Sequence, residues 1–222
     1  MTAPHAVTLT LAEQLVMLSF RPDTRRRKAR AGNGVGSMSR AAQAALIVEL
    51  IELGRVRVVP KPVALTSHTF SLRQTSPTPT GNGPLDAMLV EIGDPERQRR
   101  TLTDWVSTSS IGDMVLRDLV GPGTVVESDR VDIEVRDRFD AVFYEGADAT
   151  ERDCLLAAVL ADGFIWEYYA PLRGHDAQMR FLSRVNSLAE RRRPPRASPK
   201  VGDGDDLTRV LTALAHSNSG GA

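Results

Sequence analysis

Residues 39–59 read Ser39-Arg-Ala-Ala-Gln-Ala-Ala-Leu-Ile-Val-Glu-Leu-Ile-Glu-Leu-Gly54-Arg-Val-Arg-Val-Val59. From Ala44 to Leu53 there is almost no polar side chain, and a helix that is apolar nearly all round belongs inside a protein. Ser39 is suited to cap its start, and Gly54 stands where a left-handed residue closes a C-terminus. Arg55-Val-Arg-Val-Val59 then alternates as a short strand. Residues 69–72, beyond Pro60 and Pro62, are its companion in a small ribbon. The stretch therefore predicts a central buried helix running directly into a β-ribbon.

Upstream, Thr10-Leu-Ala-Glu13 has the form of a capping box, opening a second apolar helix over residues 10–20. Between the two helices lies a glycine-rich basic loop. It holds Arg21, Arg25, Arg26, Arg27, Lys28 and Arg30 against the single acid Asp23, then passes through Gly32, Gly34 and Gly36. Cations, bare backbone amides and a helix N-terminus converge there, a combination that favours an anion such as a phosphate. No strand precedes the glycines and no Gly-Lys-Ser/Thr ending follows, so neither a dinucleotide site nor a P-loop is predicted.

Downstream, Ser76-Pro-Thr-Pro-Thr-Gly-Asn-Gly83 is turn material, followed by a helix over residues 85–92. Asp94-Pro95-Glu96 is placed to start another, carrying Leu102, Trp105 and Val106, and residues 111–120 form a third. Thr124-Val-Val-Glu127, a turn, and Val131-Asp-Ile-Glu-Val135 alternate apolar and polar, which predicts a β-hairpin over residues 124–136 able to mediate self-association. Thr150-Glu-Arg-Asp153 caps a helix stopped at Gly163. Residues 176–190 are amphipathic, with Met179, Leu182, Val185 and Leu188 as the apolar stripe, and residues 207–215 form a last short helix. The predicted fold is mainly α: a compact single-domain helical bundle with small β-ribbons and a hairpin. The domain runs over residues 8–216, with a flexible basic loop at 21–38 and a proline-rich linker at 191–204. Tails at 1–7 and 217–222 flank it.

The totals narrow the function. Net charge is zero, with 28 basic and 28 acidic residues, so attraction to nucleic acid is not expected and any anionic partner must meet a local patch. Arginine outnumbers lysine 25 to 3, a coding bias typical of a GC-rich bacterial genome. Cys154 is the only cysteine, which excludes an internal disulfide and fits a cytoplasmic protein. No apolar run is long enough to span a bilayer and no signal peptide is evident, so membrane contact is expected to be peripheral, on the inner face. His5, His68, His175 and His216 have no metal-ligand spacing, Ser107 to Ser110 lack a nucleophile context, and His175-Asp176 reads as a helix start. No enzyme, metal or cofactor is predicted.

The order of these elements resembles the Golgi phosphoprotein 3 family, bacterial members included. The likeness is carried by Leu9-Thr-Leu-Ala-Glu-Gln-Leu-Val-Met-Leu18, Leu46-Ile-Val-Glu-Leu-Ile-Glu-Leu-Gly-Arg-Val56 and Pro77-Thr-Pro-Thr-Gly81. Asp104-Trp105, Val115-Leu-Arg-Asp-Leu-Val120 with its glycine turn, and the predicted hairpin after it complete the likeness. The resemblance implies a compact helical domain that binds the phosphatidylinositol 4-phosphate headgroup peripherally on membranes. In eukaryotic members it also implies an adaptor that holds glycosyltransferases in the Golgi. Those members use a tryptophan and an arginine around the loop before the second helix, and two arginines opening the helix ahead of the hairpin. Here Gln43 stands at the second-helix arginine, with Arg40 one turn earlier. Ser109 and Gly112 stand at the pair, and no tryptophan lies near Gly34.

The expected function is therefore binding of anionic phospholipid headgroups, with Arg25, Arg26, Arg27, Lys28, Arg30, Ser39, Arg40 and Gln43 as candidate contacts. The other reading is a protein-interaction adaptor acting through the hairpin or through the aromatic segment Trp166-Glu-Tyr168-Tyr169, which follows Gly163-Phe164-Ile165.

Overall fold

The structure is a computed structural model of the 222-residue chain. It describes residues 9–19, 34–61, 69–108, 110–120, 129–166, 169–170, 174–192 and 205–219. Nine-residue helix α1 (Leu11–Ser19) and the central α2 (Gly34–Glu52) pack together, and strands β1 (Val56–Lys61) and β2 (Thr69–Gln74) follow. Then come α3 (Gly83–Gly93), a 3-10 turn (Arg97–Arg99), α4 (Leu102–Ser107), α5 (Ser110–Val120), α6 (Asp129–Phe143), α7 (Glu151–Asp162), α8 (His175–Glu190) and α9 (Asp206–Ser219). One continuous apolar core links Leu11 in α1 to Leu214 in α9, with α2 at its centre. This is the mainly-α domain the sequence predicts.

The predicted caps explain several boundaries. In α1, Glu13 N–H donates to Thr10 Oγ1 (3.1 Å) and Thr10 N–H to Glu13 Oε2 (2.7 Å), completing the capping box. Thr150 and Asp153 do the same for α7. Gly54 has φ +65° and closes α2. Its N–H reaches Ile51 O while Arg55 N–H reaches Leu50 O, each at 2.9 Å, so the carbonyls at the end of α2 are satisfied by a Schellman turn. Glu49, near the end of α2, accepts from Leu11 N–H (2.8 Å) and from Arg152 Nη1 (3.0 Å), tying α1 and α7 to the central helix.

The structure changes four expectations. First, α2 begins at Gly34, so residues 34–38 of the predicted basic loop are helical and Ser39 lies inside the helix rather than capping it. Glycine is a poor helix former. However, Met38, Ala41, Ala42 and Ala45 are buried in the core, and that packing outweighs local propensity. Second, Asp94-Pro95-Glu96 opens only the 3-10 turn. A separate capping box, Thr101 with Asp104, starts α4.

Third, the hairpin predicted at 124–136 is not a hairpin: residues 129–136 belong to helix α6, and residues 124–128 lie outside the described residues. The five-residue alternation through Val135 fits either period, but Phe139, Val142 and Phe143 continue it at helical spacing and are buried, whereas Ile133 is 55% exposed. A dimer built on hairpin strands therefore has no basis in these residues. Fourth, the buried stripe of α8 is Phe181, Val185, Leu188 and Ala189, rotated from the predicted one, and Met179 faces out. Phe181 supplies the reason: its ring packs among Phe139, Phe143 and Tyr144 of the α6 segment.

Two carboxylates carry a pH dependence. Burial raises the Asp86 carboxyl. The Thr80 N–H (2.6 Å) and hydroxyl (2.8 Å), the Gly81 N–H and the charge of Arg55 outweigh that and hold it below its ordinary 3.8. Asp104 is lowered chiefly by Thr101 N–H and hydroxyl, with Lys61 and Arg100 adding to the effect. A depressed folded-state value means the stabilisation is complete above the unfolded value of 3.8 and disappears as pH falls through the folded one. Wild type should therefore lose stability below about pH 4, and Asp86→Asn should lose less over the same range. Denaturant midpoints measured from pH 6 to pH 2 check this, and parallel curves for the two proteins would contradict it.

Candidate functional site

The end of α1 and the start of α2, which flank the basic segment, lie side by side. The buried Tyr169 hydroxyl donates to Leu15 O of α1 (2.8 Å) and lies 3.5 Å from Met38 Sδ of α2. Leu15 is one turn before the end of α1, and Met38 is about one turn after the start of α2. One side chain therefore spans the exit of α1 and the entrance of α2, and residues 20–33 must connect two closely placed points. Arg25, Arg26, Arg27, Lys28 and Arg30 lie outside the described residues, within that connection.

The described candidates behave differently. Arg40 is half-buried, with its Nη2 3.3 Å from Ser37 Oγ and its guanidinium beside Gly36. Ser39 and Gln43 are both 0% exposed, so the expectation that they touch a headgroup does not hold in this arrangement. Ser39 Oγ donates to Asp113 Oδ1 at 2.6 Å. Gln43 Nε2 donates to Trp105 O (3.2 Å), and Gln43 Oε1 accepts from Gly112 N–H (2.9 Å). The amide thus bridges the C-terminal half of α4 and the first turn of α5, satisfying two backbone groups that helix ends leave over.

Gly112 presses against α2 so closely that a Cβ there would stand 2.2 Å from Ser39 O. Two of the three positions at which the resemblance puts arginines, Gln43 and Gly112, are in this chain parts of a tightly closed joint between α2, α4 and α5; the third, Ser109, lies outside the described residues. Leaving it intact excludes a guanidinium from either position.

The remaining candidates sort by burial. Ile165 and Tyr169 of the aromatic segment belong to the core, whereas Phe164, with φ +50°, is 59% exposed. Arg192 pairs with Glu151 (2.8 Å) and Glu52 (3.7 Å), so it clamps α8 to α7 and α2 rather than offering a free basic contact. Cys154 is buried in α7. Among the described residues no group of three or more His, Cys, Asp or Glu side chains is arranged to hold a metal ion. Sequence reading passed over the arginines of the ribbon, Arg57 and Arg73. The signal for them is the strand register, which a single strand does not reveal.

Fold and site define a class: a mainly helical domain with one small antiparallel ribbon and a cation-rich connection between its first two helices. A family model for Golgi phosphoprotein 3 (GPP34) matches residues 11–214, nearly the whole chain, and the chain belongs to that family. A search of curated proteins gives no match.

Proposed function

We propose that this protein binds anionic phospholipid headgroups at a membrane surface through Arg25, Arg26, Arg27, Lys28, Arg30 and Arg40, without catalysing a reaction. The observation that carries the proposal is the Tyr169 tether, which brings the two helix ends flanking the basic segment together at one end of the bundle. The sequence that joins those ends carries six cations, from Arg21 to Arg30, against one acid, Asp23. Each Lys or Arg near an anionic membrane contributes about 1 kcal/mol, so such a cluster suffices for reversible peripheral attachment. Among the described residues no helix is long and apolar enough to cross a membrane, which is compatible with attachment from one side. Family membership supports the reading as well.

The closed joint at Gln43 and Gly112 bears on specificity. With no arginine at either position, recognition rests on charge density, and phosphatidylinositol 4-phosphate has no privileged contact there. Co-sedimentation with vesicles containing phosphatidylglycerol, phosphatidylserine or phosphatidylinositol 4-phosphate tests this at low and high salt. Binding should follow total anionic charge and fall steeply as salt rises from about 0.05 to 0.5 M, as screening shortens the reach of the charges. Salt-insensitive binding, or equal binding to neutral vesicles, would defeat the proposal.

A protein-adaptor reading is favoured by one feature, the exposed Phe164, whose neighbours Ile165 and Tyr169 are buried. A defined partner lost on Phe164→Ala, with vesicle binding unchanged, would establish it.

A further inference from the structure

β1 and β2 pair antiparallel with Arg57 opposite Arg73, Val59 opposite Ser71 and Lys61 opposite Thr69. Val56, Val58 and Leu72 are buried on the core face, so these three pairs form the outer face. The segment Arg97–Arg100 covers one end of that face and the middle of β2: Lys61 Nζ donates to Arg99 O, and the buried Ser71 Oγ to Arg100 O (2.7 Å). The other end is open, and both arginines there are exposed, as is Arg99 on the covering turn. Directly opposed residues of an antiparallel pair have Cβ atoms about 5 Å apart, where like charges repel.

Several acids of the adjoining elements are engaged elsewhere. Asp206 accepts from Val58 N–H (2.8 Å) and from Arg209 Nη1 (3.1 Å), Glu91 holds Arg97, Asp104 caps α4, and Asp86 holds the Thr80 turn. Among the described residues no carboxylate pairs with Arg57, Arg73 or Arg99.

We propose that this ribbon face is a second contact for an anionic lipid surface, separate from the segment between the first two helices. It follows the opposite end of α2, whose 19 residues extend roughly 28 Å. The open end presents guanidinium groups, which suit phosphate oxygens, and its middle carries only the half-buried Val59. A protein interface needs a buried aromatic or aliphatic anchor, which this face does not offer, whereas a charged bilayer needs none. An anionic surface also relieves the Arg57–Arg73 repulsion, so binding and strand pairing favour each other. The inference shares the ligand class of the proposal above but rests on different residues.

The test compares wild type, Arg57→Gln/Arg73→Gln, and Arg25→Ala/Arg26→Ala/Arg27→Ala on phosphatidylglycerol and phosphatidylcholine vesicles at about 0.1 M salt. At about 1 kcal/mol per cation, the ribbon variant should bind phosphatidylglycerol about 25-fold more weakly. The triple variant should keep a residue of binding that the ribbon substitutions then remove. The ribbon variant should also melt no lower than wild type at low salt, because the repulsion is gone. Wild-type affinity in the ribbon variant overturns the inference while leaving the loop assignment standing. Full binding by the triple variant together with loss in the ribbon variant does the reverse. Loss of binding with a lowered melting temperature, or capture of inorganic phosphate or polyglutamate without vesicle binding, also counts against it.

Discussion

Changing Arg25, Arg26 and Arg27 together to alanine is expected to weaken sedimentation with phosphatidylglycerol vesicles by about 100-fold at low salt. Three charges at about 1 kcal/mol each give that order of magnitude. The thermal midpoint should stay unchanged if these cations serve the membrane rather than the fold. Combining unchanged melting with lost binding separates a surface role from a folding one. The dependence on salt should flatten as well, since fewer counterions are displaced at the membrane. Binding equal to wild type would show that these arginines do not carry the attachment.

The second large effect is expected at Gly112. Alanine there places a methyl group 2.2 Å from Ser39 O, a backbone atom inside α2 that cannot swing aside. Either α5 moves away from α2 or the first turn of α5 unwinds, and both disturb the Gln43 hydrogen bonds to Gly112 N–H and Trp105 O. Overpacking of this kind costs about 1–3 kcal/mol, and groups left unpaired add about 1–3 kcal/mol each. A domain of this size loses about 2–4 °C in melting temperature per kcal/mol. Gly112→Arg, which supplies the residue that the resemblance expects, should be more damaging still and should not improve phosphatidylinositol 4-phosphate binding. A stable Gly112→Arg protein with new headgroup selectivity would show that the joint opens and that the family's mode of recognition is latent here.

Both predictions depend on how α2 is placed, and the sequence made much of that legible. The run from Ala44 to Leu50 is apolar but for Glu49, and the burial of Ala44 to Val48 and Leu50 follows from composition, whereas Leu53 at its end is exposed. The capping boxes at Thr10 and Thr150 and the glycine at 54 are local chemistry, complete within a few residues, and they lie where the spacing put them. The alternation at 131–135 was ambiguous because five residues fit two periods, and only the contacts of Phe139 and Phe143 with Phe181 select the helix.

The chain by itself determined the mainly helical character, the first two helices and the ribbon after them, the charge of the segment between those helices, and the family. Each of these depends on residues close together in sequence or on their order along the chain. Tertiary structure alone decided that Ser39 and Gln43 face inward, that Gly112 closes against α2, and that Arg57 meets Arg73 across the ribbon. The physical reason is that burial, close approach and strand register are relations between distant segments. Gln43 and Gly112 are 69 residues apart, and no local pattern records that one amide must reach the other.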